Sequence, residues 1–230
     1  MPNPFPFRNR AHEVTRVEAF SDIVFGFALT LIVVSLEVPK TFEELMHEMR
    51  GFIGFAICFG ILMWVWFAHH TFFRRYGMTD GITIVINTCL LFVVLFYVYP
   101  LKFTFALVTR NLAPGAIRSE HAAATLMVIY GLGFFALFLV FFLLYGHAYR
   151  RRELLELNGV EVHDTVTHLI MYATYMAIGL LATLVAIVFP DAPQWSGFTF
   201  FLLGPVSAVI GGRRGAKRRK IEELSMAEAT

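Results

Sequence analysis

The stretch Arg16-Val17-Glu18-Ala19-Phe20-Ser21-Asp22 runs without a break into Ile23-Val24-Phe25-Gly26-Phe27-Ala28-Leu29-Thr30-Leu31-Ile32-Val33-Val34-Ser35-Leu36. From Phe20 to Pro39 there are about 20 residues, which at 1.5 Å per residue span roughly the 30 Å of a bilayer's hydrocarbon core. The stretch predicts a membrane-spanning helix. Polar side chains at the mouth of such a run are costly in lipid and mark function by default. The competing reading is an ordinary first transmembrane helix with an interfacial cap, because Asp22 sits near enough to the interface to cost little.

With about 100° per residue and Ile23 at zero, Phe27 falls at roughly 40°, Thr30 at −20°, Val34 at 20° and Glu37 at −40°. One stripe therefore carries Ile23, Phe27, Thr30, Val34 and Glu37. Asp22 lies about 100° off the stripe and Ser21 on the opposite side, so both face something else. Arg16 precedes Asp22 by a spacing that is neither three nor four, so the two are not neighbours on one helix surface. Partners on other helices are expected for both.

Composition agrees with a membrane protein. Hydrophobic residues make up 57% of the 230-residue chain and charged residues 16%, with a mean hydropathy of +0.65. This places the chain among polytopic membrane proteins and outside soluble domains. The two cysteines, Cys58 and Cys89, lie in apolar runs and read as packing residues, not as a disulfide framework. The first apolar run is too long for a signal-peptide core and no small-residue cleavage site follows Pro39, so the segment is expected to stay attached.

Six hydrophobic segments follow one another. After a polar leading segment of residues 1–15 and the first span, Lys40–Arg50 reads as an acidic turn or a short amphipathic helix. The second span is Gly51–Phe72. It ends in an aromatic and histidine group, Trp64, Trp66, His69 and His70. Adjacent histidines point about 100° apart on a helix, so one is expected to bridge to Asp22, Ser21 or Asn87 and the other to sit beside Arg74 and Arg75. No carboxylate or cysteine lies at a metal-ligand spacing from them.

The third span, Gly81–Leu101, closes at Pro100 and Lys102 and carries Asn87, a residue suited to interhelical hydrogen bonding. The loop with Pro114 and Gly115 leads to the fourth span, Ala122–Ala148. Arg150, Arg151 and Arg152 read as a topology anchor. The fifth span lies within Asp164–Pro190, with His168 near its start, and the sixth is Trp195–Gly211. Gly131 and Gly133 permit close helix contact.

With a cytoplasmic N-terminus, fourteen Lys and Arg fall inside and five outside. The positive-inside rule then puts both termini in the cytoplasm of a multi-pass cell-membrane protein. Arg16, Ser21 and Asp22 then lie at the inner end of the first helix and Glu37 at its outer end.

Arg16-x-x-x-Phe20-Ser21-Asp22, Thr30-Leu31 eight residues after the Asp, and closing Pro39 resemble the signature of the transmembrane protein 175 family of endosomal and lysosomal potassium channels and their prokaryotic relatives. A second block, Trp66-Phe67-Ala68-His69-His70-Thr71-Phe72-Phe73-Arg74 with Asp80 and Asn87, resembles the family's second and third segments. Six segments match a single-repeat prokaryotic member over the whole chain.

The resemblance implies an all-α potassium-channel fold with six transmembrane helices and a homotetramer whose first helices line the pore. Ile23, Phe27, Thr30, Val34 and Glu37 would line it. Arg16, Phe20, Ser21, Asp22, Trp66, His69, His70 and Asn87 would form a scaffold and gating group. Phe27 stands where the family usually has Ile or Leu at the constriction. The sequence contains no Thr-Val-Gly-Tyr-Gly filter, so dehydration at an apolar ring has to discriminate between ions.

Residues 1–15 are then a cytoplasmic N-terminal segment, 16–212 the channel domain and 213–230 a basic cytoplasmic tail. The partners expected are the bilayer and further copies of the chain, not nucleic acid. Besides a permeating potassium ion, no metal or cofactor is expected. A proton-permeable channel or ion-coupled transporter, with Asp22 and a histidine relaying protons, is the alternative. No nucleophile motif, paired-carboxylate spacing or phosphate loop points to an enzyme.

Overall fold

A computed structural model of the chain describes residues 7–11, 13–34, 41–108 and 120–228. The helices in order are α1 (Arg16–Val34), α2 (Phe42–Tyr76), α3 (Gly81–Val108), α4 (Glu120–Arg150), α5 (Gly159–Val188), α6 (Gln194–Thr199) and α7 (Leu203–Glu228), with a 3-10 turn at Phe200–Leu202. No strand occurs among the described residues. Five stretches are long and apolar enough to cross a membrane: Gly54–Tyr76, Gly81–Leu101, His121–Arg150, Gly159–Val188 and Gln194–Leu224. Together with α1 they make up a six-helix membrane protein, as the hydrophobic segments predict.

Several boundaries differ from the sequence expectation. Residues 42–50, expected as a separate connection, are the first turns of α2. Leu45, Met46 and the glutamates are good helix formers, and no glycine or proline lies between Phe42 and Arg50 to stop them. α3 does not close at Pro100 but continues to Val108. Proline is tolerated in spanning helices that pack against others, and here α4 lies alongside, the Tyr130 hydroxyl donating to the Pro100 carbonyl. The sixth segment does not end at Gly211, because its helix runs on through the basic residues to Glu228. Arg214 donates to Thr167 Oγ1 at 3.0 Å, and Arg218 pairs with Asp164 at 3.0 Å, so α5 holds this extension. Cys58 is buried, whereas Cys89, expected to pack, is exposed on the outer side of α3. The loop with Pro114 and Gly115 lies outside the described residues.

Small residues set the closest helix contact. A Cβ on Gly179 of α5 would lie 2.9 Å from the Gly131 carbonyl oxygen of α4, so only glycine allows the two backbones this approach. Toward the C-terminal end of α2 the space between elements is filled by rings. Phe72 and Tyr76 of α2, Phe138, Phe141 and Tyr145 of α4, and Tyr172 and Tyr175 of α5 are all buried. The Tyr76 hydroxyl is 2.7 Å from Thr165 Oγ1 of α5, which meets the need of a buried phenol for a partner.

The leading segment is tied down. Arg10 N–H donates to the Arg74 carbonyl at 3.1 Å, and Arg74 Nη1 returns a bond to the Ala11 carbonyl at 3.1 Å. Gly77, at φ 60°, makes the turn beneath them, with its Cβ position 3.3 Å from the Arg10 and Ala11 backbone. Arg10 Nη2 then reaches Glu161 Oε2 at 2.7 Å, and Arg8 N–H reaches Oε1 at 2.9 Å. Glu161 is also the reciprocal partner of Asn158 in the capping box of α5. Its carboxylate is almost wholly buried and fully hydrogen-bonded, as a buried charge requires. This strap joins residues 8–10, the end of α2 and the start of α5.

Asp80 links the next turn to α4. Its carboxylate accepts from Thr83 at 2.7 Å and faces His147 at 2.9 Å and Arg151 at 3.6 Å. Burial works to raise its pKa, but the hydrogen bonds of Thr83 and His147 and the charges of His147 and Arg151 outweigh it and hold it down to about 2.

Arg10→Ala should destabilise the detergent-solubilised protein by about 3 kcal/mol in a denaturant titration, because it takes the closest charged partner from a buried carboxylate. Arg8→Ala, at a half-exposed side chain, should cost less; equal losses would contradict this account. Because the folded pKa of Asp80 is depressed, its contribution is present above the unfolded value near 3.8 and fades as pH falls toward about 2. Asp80→Asn should therefore flatten the acid loss of stability in that window, which a thermal-unfolding series between pH 5 and pH 2 would read.

Candidate pore helix and its polar anchor

α1 begins at a capping box. Thr15 N–H donates to Glu18 Oε2 at 3.0 Å and Glu18 N–H to Thr15 Oγ1 at 3.2 Å, which satisfies two of the donors a helix start leaves open. The Thr15-x-x-Glu18 spacing is a legible sequence signal for this start, apart from the motif residues.

One turn further on, Ser21 Oγ donates to the Val17 carbonyl at 2.7 Å. It can then only accept from Asn87 Nδ2, 2.9 Å away on α3. With its amide nitrogen so engaged, Asn87 turns its oxygen to His69 Nε2 of α2 at 2.9 Å. His69 must therefore carry its proton on Nε2, and its buried Nδ1 has no partner. Ser21, Asn87 and His69 are each at most 2% exposed. One polar chain thus joins α1, α3 and α2 inside apolar surroundings, where Phe25 and Phe73 flank the imidazole at 5.5 and 4.7 Å between ring centroids.

Beside it Trp66 Nε1 donates to Asp22 Oδ1 at 2.8 Å, and the Trp66 ring stacks on His70 at 5.4 Å. Of the expected scaffold group the structure brings together Ser21, Asp22, Trp66, His69, His70 and Asn87. Arg16 and Phe20 are exposed and outside this set. A cavity of about 130 Å³ adjoins the group, lined among others by Glu13, Glu18, Asp22, His69, His70 and Arg74. Among the described residues no three His, Cys, Asp or Glu side chains converge as metal ligands would.

The two sides of α1 contrast sharply. Phe25, Ala28 and Ile32 are buried against the other helices, while Ile23 is 71% and Phe27 58% exposed, with Phe20 and Thr30 exposed on the same side. The Thr30 hydroxyl donates to the Phe27 carbonyl at 2.7 Å, so its oxygen lone pairs point away from the helix backbone's needs. The Val34 side chain and Glu37, the remaining stripe positions, lie outside the described residues.

The family described as endosomal/lysosomal potassium channel TMEM175 matches residues 16–97, from the start of α1 into α3. A protein of Marivirga tractuosa named as a potassium channel is 40% identical over 235 residues, covering 95% of this chain and 94% of its own. The chain belongs to the TMEM175 potassium-channel family. The crystal structure of the potassium channel MtTMEM175, a threonine-to-alanine variant bound to a nanobody fusion, superposes with a TM-score of 0.80 at 40% identity, over 94% of this chain and 98% of that one. A potassium channel of Streptomyces collinus is 28% identical over 63% of this chain and 69% of its own. The structure of a TMEM175 homologue from Chamaesiphon minutus shares the fold alone, at 22% identity and a TM-score of 0.58, over 86% of this chain and 96% of that one.

These relatives are named as channels and not as enzymes, in line with the sequence reading. The stretch matched by the TMEM175 family contains both the polar anchor and the exposed stripe. Glu161, Asn158 and His147, which hold the strap and the turn before α3, lie beyond it.

Asn87→Ala should leave Ser21 and His69 unpaired and cost about 1 to 3 kcal/mol. It should also raise amide hydrogen exchange in α1 more than in α5. Equal exchange in both helices would show that the anchor does not hold α1.

Proposed function

We propose that this chain is a potassium-permeable channel of the cell membrane, with both termini cytoplasmic and the exposed stripe of α1 lining a pore shared by four copies. The observation that carries this reading is the two-sidedness of α1. One face is fixed by buried polar bonds to α2 and α3, while the other offers Ile23, Phe27 and Thr30 without a partner helix among the described residues. Thr30 and Gly26, a hydroxyl and a small residue, stand among the exposed residues of that face. The Arg and Lys asymmetry supports the orientation, and the family supports the ion.

Selection in this reading comes from dehydration. A ring of Phe27 side chains excludes a hydrated cation, phenyl faces offer weak compensation to a bare one, and Thr30 hydroxyls supply oxygen one turn away. Potassium holds its water less tightly than sodium and enters more readily. Val34 continues the apolar lining, and Glu37 raises the cation concentration at the outer mouth. Ser21, Asp22, Trp66, His69, His70 and Asn87 set the position of the helix and do not bind the ion. Proton conduction is the second reading, favoured by the cavity that gathers Asp22, His69 and His70. A conductance that persists without potassium and follows the proton gradient would establish it.

Potassium flux from liposomes carrying the purified protein tests the proposal, with sodium for comparison. Phe27→Ala should raise flux and lower the preference for potassium, and Thr30→Ala should lower the preference with a smaller change in flux. Absence of flux from wild type and both variants would reject the channel reading.

A further inference from the structure

A second cavity, of about 220 Å³, lies between α2, α4 and α5. Its walls are rings: Trp64 from α2, Phe138 and Tyr145 from α4, Tyr172 from α5. Trp64 and Phe67 at its rim are 49% and 61% exposed, so the cavity opens onto the apolar outside of the chain.

At its inner end sits Arg75, whose surroundings hold the guanidinium without neutralising it. His168 is stacked on Tyr145 at 4.9 Å and directs Nδ1 to the Asp164 carbonyl at 2.8 Å, so Nδ1 carries the proton. Nε2 is then a neutral acceptor, and it faces Arg75 Nη1 at 3.5 Å. The Phe7 ring of the strap lies 4.9 Å below the guanidinium carbon. Among the described residues no carboxylate pairs with Arg75, although Arg8, Arg10, Arg151 and Arg218 each have one.

An unneutralised guanidinium at one end of an apolar chamber calls for an anion with an apolar chain attached. Aromatic cages also attract organic cations, but the fixed charge of Arg75 opposes one here. Guanidinium matches phosphate in shape and can bond it through two N–H groups. We propose that this cavity binds an anionic phospholipid, its phosphate paired with Arg75 and the upper part of one acyl chain among the rings. Because Phe7 forms the floor beneath Arg75, the bound headgroup also braces the strap that leads into α1.

Native mass spectrometry of the detergent-solubilised full chain tests this, with dioleoyl phosphatidylglycerol, dioleoyl phosphatidylcholine and inorganic phosphate as separate probes. Wild type should retain phosphatidylglycerol over phosphatidylcholine. Arg75→Gln should weaken phosphatidylglycerol binding at least about tenfold and erase the preference, as loss of one charged hydrogen-bonding group implies. Arg75→Lys should keep most of it, and Met171→Trp, which fills the chamber, should weaken both lipids. Equal retention of the two lipids by wild type would overturn the proposal, as would a preference that survives Arg75→Gln. An equal loss in Arg219→Gln, at an exposed basic residue of α7, would assign the preference to general surface charge and overturn it too. Inorganic phosphate binding as tightly as the lipid, or Met171→Trp leaving lipid binding unchanged, would reduce the site to a simple anion site and reject the acyl-chain assignment.

Discussion

A polar side chain inside a bilayer must find its partners within the protein, and the chain from Ser21 through Asn87 to His69 is where this requirement shapes the fold most. Each group has its role dictated by the one before it: the Ser21 hydroxyl is committed to the Val17 carbonyl, so Asn87 must donate to it, so His69 must donate to Asn87. Reversing any one bond leaves two like groups facing each other. Such a chain fixes the rotation of α1 and its depth relative to α2 and α3. Apolar packing alone, being non-directional, fixes neither.

The strap extends the constraint outside the membrane. It reaches from the residues just before α1 to the end of α2 and the start of α5, so the helix proposed to line the pore is held both by its anchored face and by its leading segment. Glu161 is the common point. Its carboxylate serves the N-terminus of α5 through Asn158 and the leading segment through Arg8 and Arg10. Buried ion pairs add little net stability over apolar contacts, yet they tolerate few alternative geometries. The strap is better understood as setting position than as a store of free energy.

The six helices were legible because twenty-residue apolar runs have few other uses. The Ser21–Asp22 pair could be told from the stripe because 3.6-residue periodicity separates faces without any knowledge of neighbours. What it could not supply was which histidine meets Asn87, since His69 and His70 differ only by about 100° of rotation and the deciding neighbours come from α1 and α3. Helix ends were misread wherever a local stop signal was overruled. Pro100 lies within α3, as proline does in spanning helices packed against others, and the basic stretch after Gly211 stays helical because Asp164 and Thr167 on α5 receive its arginines. The two capping boxes, Thr15 to Glu18 and Asn158 to Glu161, were readable from spacing alone and show how far a purely local rule reaches.

The anchored face also limits how the exposed face can change. Turning α1 about its axis would break its bond to Asn87 and leave buried donors and acceptors open, at about 1 to 3 kcal/mol for each orphaned group. A rotation of the Phe27 side chain breaks no hydrogen bond, and its ring is more than half exposed. The cheaper movement on the exposed face of α1 is therefore that of its side chains, on a backbone the polar chain holds still. A carbonyl filter needs an irregular backbone buried in protein at membrane depth. In the pore proposed here, a fixed helix presenting Ile23, Phe27 and Thr30 would meet the demands of the bilayer with regular backbone throughout, and would leave discrimination to the size and hydration of the ion.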